Sequence, residues 1–182
     1  MAISVVVGPV RFSYVSLLEK SEGLDNELQY SAVLMFPKSD KALVAKVHLA
    51  FKKATDAAVA KGLFKKNMVK NVTLPWRDGD DEEDRGSKGK EFDGFFWMNV
   101  KNKRNQPGIV GPDRQPIMDE DEIYSGMWGY ADIALSPYDY KGKKGIGAYL
   151  NNVMKTKDDE RLDGRQSAED AFADIEPLDE LE

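Results

Sequence analysis

Residues 123–140 read IYSGMWGYADIALSPYDY. In a β-strand, successive side chains point to opposite faces. One face of this stretch then carries Ile123, Ser125, Met127, Gly129, Ala131, Ile133 and Leu135. The other carries Tyr124, Gly126, Trp128, Tyr130 and Asp132. The first set suits a packed core. The second is a row of flat rings, the form taken by surfaces on which nucleobases stack. A strand buried on both faces would use similar residues, so the row by itself leaves both readings open.

The neighbouring segments favour the stacking reading. Residues 94–101 (GFFWMNVK) form a second strong strand, with Phe96, Met98 and Val100 on one face and Phe95, Trp97, Asn99 and Lys101 on the other. Lys101, Lys103 and Arg104 form a basic cluster at its end, before a Gln106-Pro107-Gly108 turn. A second basic turn, KGKKG, carries Lys143 and Lys144 and leads into a last strand at 145–155. Rings beside such clusters let bases stack while phosphates are neutralised. The KGKKG turn lacks the glycine and Lys-Ser/Thr spacing of a nucleotide phosphate loop.

Further upstream, residues 3–17 (ISVVVGPVRFSYVSL) read as a long strand kinked at Gly8-Pro9, since Gly and Pro within a strand mark a bend or bulge. A turn at 22–26 precedes a second strand over 27–36. Ser39 or Asp40 can then cap a helix running from about 41 to 61. Its apolar stripe is Leu43, Val47, Ala50, Phe51, Ala54 and Ala58, at the 3.6-residue period of a helix packed on one side. His48, the single histidine, lies off that stripe with no nucleophile or base near it in sequence and reads as a solvated side chain.

The composition narrows the function. With 182 residues, 41% hydrophobic and 32% charged, the chain suits one domain with a charged surface. The lack of cysteine excludes disulfides, thiolate metal sites and a cysteine nucleophile. No apolar run is long enough to cross a membrane, and MAISVVVGPVRF lacks the features of a signal peptide; a cytoplasmic protein is expected. The net charge of −6 is unevenly spread: residues 169–182 hold seven acids and no base, leaving 26 basic against 25 acidic residues in 1–168. Six more acids lie in Asp78–Asp84, so the rest of the body is basic. Residues 77–91 (RDGDDEEDRGSKGKE) are nearly devoid of apolar side chains and read as a mobile acidic loop. Contiguous acids rarely supply the rigid, separated ligands that metal catalysis needs.

Three segments, FPKSDKALVAKVHLAFKKA, IYSGMWGYADIALSPYDYKGKKGIGAYLNNVMK and GRQSAEDAFADIE, in that order, resemble a family of tailed-phage and prophage single-stranded-DNA-binding proteins with an OB-fold, once catalogued as a domain of unknown function. The resemblance spans about Arg11 to Ala173. It implies a mainly β protein with one long helix, built as a five-stranded Greek-key barrel. The OB domain is expected over 1–166, with a disordered acidic tail over 167–182. It further implies coating of single-stranded DNA during phage replication, recombination or repair in the bacterial host cytoplasm. The tail would modulate DNA binding and contact replication or recombination proteins. The usual helix of the fold follows the third strand, whereas the helix read here follows the second; either the first segment is two strands or the topology is a variant.

The expected DNA contacts are stacking by Trp97, Tyr124, Trp128 and Tyr130 and phosphate contacts by Lys101, Lys103, Arg104, Lys143 and Lys144. No catalytic residue, cofactor or metal is expected, and no membrane partner. A basic channel does not exclude duplex DNA, and self-association stays open. The competing classes are a phage structural or assembly protein that uses an OB-like domain for protein contacts and, less favoured, a metal-dependent nuclease using the Asp78–Asp84 acids.

Overall fold

The computed structural model describes residues 2–163 and 168–176. Its elements are β1 (Ile3–Glu22), β2 (Leu28–Pro37), α1 (Lys41–Ala60), β3 (Arg77–Asp78), α2 (Glu82–Arg85), β4 (Phe95–Asn102), β5 (Gly108–Val110), β6 (Trp128–Tyr140), β7 (Lys143–Lys157) and α3 (Ala168–Ala171).

Five strands close a barrel in the cyclic order β1-β2-β4-β7-β6. All neighbours are antiparallel except β4 and β7, which meet in parallel at Lys101 and Tyr149. This is the five-stranded barrel of the OB-fold. At the β4–β7 seam, β3 extends the edge of β4 and β5 that of β7, while Thr73 pairs with Gly145. Strands that leave no long open edge offer little to edge-to-edge aggregation.

The inward set expected for 123–140 is buried from Ser125 onward, and Met127, Ala131, Ile133 and Leu135 join Phe12, Leu34, Phe36, Met98, Val100 and Leu150 in one core. The strand itself begins only at Trp128. Asp40 caps α1, its carboxylate accepting from the Leu43 N–H at 3.1 Å. The expected stripe of α1 is buried in the same core as the barrel interior, joined by Thr55. Thr55 is tolerated there because its hydroxyl donates to the Phe51 carbonyl. The helix lies between the second and third barrel strands, so of the two arrangements left open the variant topology is the one adopted.

The 77–91 segment carries regular structure. It contains β3, the single turn α2 capped by Asp81, and a 3-10 turn at Lys90–Phe92 whose Phe92 is fully buried. His48 is exposed but sits edge-on to Trp76 at 5.3 Å. In the expected tail, Phe172 and Ile175 are exposed beside the single turn α3. Residues 164–167 and 177–182 lie outside the described residues, and the tail expectation at those positions with them.

Candidate nucleic-acid interface

The outward residues of β2 and β4 floor a groove of about 760 Å³. Gln29, Ser31 and Val33 come from β2, and Asn99 and Lys101 from β4. The β1–β2 turn (Gly23, Leu24, Asp25) and Tyr14 wall one side, and Tyr138 and Gly147 of β6 and β7 the other. Arg77 and Lys88 complete the lining. The acids in the lining are Glu22 and Asp25, and Asp25 is already paired with Lys103. Three cations, a half-exposed tyrosine and the amides of Gln29 and Asn99 form a surface that can hold a polyanion and stack flat rings.

The segment between β3 and β4 is a strap built onto this face. Lys38 reaches Asp78 at 2.5 Å and Asp80 at 2.6 Å, and Asp80 also accepts from the Gly94 N–H. The Gly79 N–H donates to the Phe95 carbonyl, and a Cβ on Gly79 would overlap the carbonyl oxygen of Phe92. Arg85 bridges to Asp93 at 2.6 Å across the strap. With its base fixed in this way, the strap lays Lys88 over three rings: Trp97 at 4.5 Å, Tyr14 at 4.7 Å and Phe92 at 6.0 Å. Burial pushes the Lys88 ammonium below its ordinary pKa. The Asp78 and Asp80 carboxyls lie below theirs, chiefly through the hydrogen bonds from Lys38.

The expected contact residues fall into separate places. Trp97 does face outward from β4, but the strap covers it: it packs with Val33, Met35 and Phe92 and is only 6% exposed. Tyr124 is buried at the foot of the barrel, where its hydroxyl donates to Asp158 and Lys155 and Arg161 flank its ring. Its segment is not strand, which is why the alternation of the sequence fails there. Trp128 is half-buried, its indole N–H donating to Asp159 at 2.7 Å, with Lys157 over its ring. Tyr130 is exposed on the outer face of β6 and lies against Gly8, a position with no room for a side chain. None of these four rings lines the groove.

Of the cations, Lys101 lies in the groove, and Arg104 is exposed beyond the end of β4. Lys103 is bound to both Asp25 and Glu27, which hold its ammonium above the ordinary lysine range. Its charge is therefore largely spent within the protein. Lys143 and Lys144 line a smaller pocket of about 490 Å³ with Lys65, Asn67 and Thr73, and Lys144 donates to the Leu63 carbonyl.

Sequence reasoning missed Tyr14, Arg77, Lys88 and Tyr138. In β1 the pairing with β2 shifts between Ser13 and Ser16, so alternation counted from the apolar residues misplaces Tyr14. Lys88 lies in GSKGK, which has no periodicity to read. Among the described residues, no three histidine or carboxylate side chains converge as a metal site, and no helix is long and apolar enough to cross a membrane. The strap acids instead serve as caps and ion-pair partners: Asp81 caps α2 and Asp84 accepts from the Asp78 N–H.

Solved structures of the single-stranded DNA-binding protein from bacteriophage Enc34 are similar to this chain. The complex with ssDNA is 25% identical with a TM-score of 0.71, covering 87% of this chain and 89% of that one. A second structure of that protein is 25% identical with a TM-score of 0.68, covering 93% and 89%. The gp2.5 single-stranded DNA binding protein encoded by bacteriophage T7, 15% identical with a TM-score of 0.61 over 100% and 98% of the two chains, shares the fold. No curated protein matches. The family described as the ssDNA-binding protein of Enterobacter phage Enc34 matches residues 3–181, nearly the whole length, and the chain belongs to that family.

Proposed function

We propose that this protein is a phage single-stranded-DNA-binding protein, not an enzyme, and that it takes the strand across the outer face of β2 and β4. The observation that carries the reading is the groove itself: three cations and Tyr14 on the outer face of an OB barrel, in a chain of this family. Phosphates would meet Arg77 and Lys101, with Arg104, Lys143 and Lys144 extending the path on either side. Bases would stack on the exposed rings of Tyr14 and Tyr138 in the groove and of Tyr130 on β6, and on the half-buried Trp128 beside it. Trp97 and Tyr124 support these surfaces from below, and Lys103 fixes the β1–β2 turn at the groove wall. Sequence preference is weak in this mode, because every base has a π-face.

The division into a DNA-binding domain over 1–166 and an acidic segment over 167–182 belongs to the same reading. The acidic segment would compete with DNA and recruit replication or recombination proteins in the host cytoplasm. The test is a titration of the full chain into a labelled poly-dT oligonucleotide, followed by anisotropy at several salt concentrations. Binding should weaken with salt at a log–log slope of about −0.7 per phosphate contacted. Absence of binding even at low salt would overturn the proposal.

A further inference from the structure

Several lysines of the barrel face are held by acids. Lys38, Lys103, Lys144 and Lys155 each face a carboxylate, at 2.5, 2.5, 3.9 and 2.6 Å respectively. Lys88 differs. Its ammonium is half-buried, and among the described residues it has no ion-pair or side-chain hydrogen-bond partner, although the strap that carries it is the most acidic part of the body. An ammonium has three donors. Taking it partly out of water without an acceptor is costly, and three ring faces offset that only in part. The surrounding acids are turned elsewhere: Asp78 and Asp80 to Lys38, Asp84 to the Asp78 N–H, Asp93 to Arg85. What remains open to Lys88 is the groove, where it stands beside Tyr14, Val33 and Asn99.

From this geometry we infer that the acidic strap is an arm that delivers one cation. Lys88, seated on Trp97 and Tyr14, is a built phosphate-contact site of the groove, awaiting an anionic oxygen. The inference rests on the single-stranded-DNA reading of the groove and adds to it a residue and a role. Three of the strap's acids, Asp78, Asp80 and Asp93, are ion-paired in fixing the arm, and they repel the strand less than free carboxylates would. Trp97 acts here as a positioning residue, its ring holding the ammonium at a set height above β4.

The experiment compares the full-length protein with Lys88→Met and Lys88→Arg by anisotropy of a labelled dT oligonucleotide across a salt series. Methionine keeps the apolar stem over the rings and removes the charge. It should lower the magnitude of the log–log slope by about 0.7, the increment of one phosphate on a single strand, and weaken binding about fivefold at 0.1 M salt. Arginine should restore the slope. A second measurement uses the unaltered protein: labelling of lysines by an amine-reactive ester, read by mass spectrometry, should show Lys88 protected when the oligonucleotide is bound. A methionine variant with the parental slope, or Lys88 labelled equally with and without DNA, would overturn the inference. If the unaltered protein shows no salt-dependent binding at all, the reading of the groove fails instead, so the two failures are distinct.

Discussion

Trp97 points away from the barrel interior, as alternation along 94–101 requires, and is still buried because the strap returns over it. Face assignment was therefore legible in the sequence, and exposure was not: the cover comes from Phe92 and Lys88, which local pattern cannot connect to Trp97. Two substitutions separate these roles. Trp97→Ala removes a large buried ring and should destabilise the fold by about 3–5 kcal/mol, read as a shift in the denaturant midpoint. Tyr14 is 53% exposed with few partners. Tyr14→Ala should leave the denaturant midpoint nearly unchanged while weakening oligonucleotide binding about tenfold, the worth of one stacked base, with no change in salt slope. Equal affinity in the Tyr14 variant would remove that ring from the path.

At the scale of elements, α1 was legible to within a residue or two because its stripe, its Asp40 cap and its end before Gly62 all agree. The strap was not, because a run of like charges reads as solvated and its partner, Lys38, lies some forty residues earlier. These ion pairs carry a pH signature. Asp78 and Asp80 have folded pKa values depressed below the ordinary 3.8 by Lys38. Their contribution is fully present above the unfolded value and is lost as pH falls through the folded values. Both carboxyls are partly exposed and screened by solvent, so the effect is modest. Thermal midpoints should fall on acidification below about pH 4, and the fall should be shallower in an Asp78→Asn, Asp80→Asn double variant. Identical acid limbs in both proteins would show that the strap base does not depend on these charges.

At the scale of the whole molecule, the resemblance supplied the five-stranded barrel, and the residues themselves placed the helix after the second strand. What no local pattern contained was how the chain beyond β7 is tied down. Tyr124 donates to Asp158, Trp128 to Asp159, and Arg11 to the Glu160 carbonyl, while Leu162 packs against the cluster that contains Trp97. The chain that leads to the acidic segment is thus held near the strap as far as Leu162. The charge arithmetic gives that location a consequence: the first 168 residues carry a net +1, and the seven acids of 169–182 bring the chain to −6. Seven negative charges tethered near a cationic groove oppose a polyanion by repulsion and by occupying its counter-charges, an effect that salt screens within about 10 Å at 0.1 M. Deleting 169–182 should therefore tighten oligonucleotide binding, most at low salt, with the two proteins converging as salt rises. A constant ratio of affinities across the salt series would mean that the segment acts through something other than its charge, and affinities that coincide at low salt would leave it to partner contacts alone.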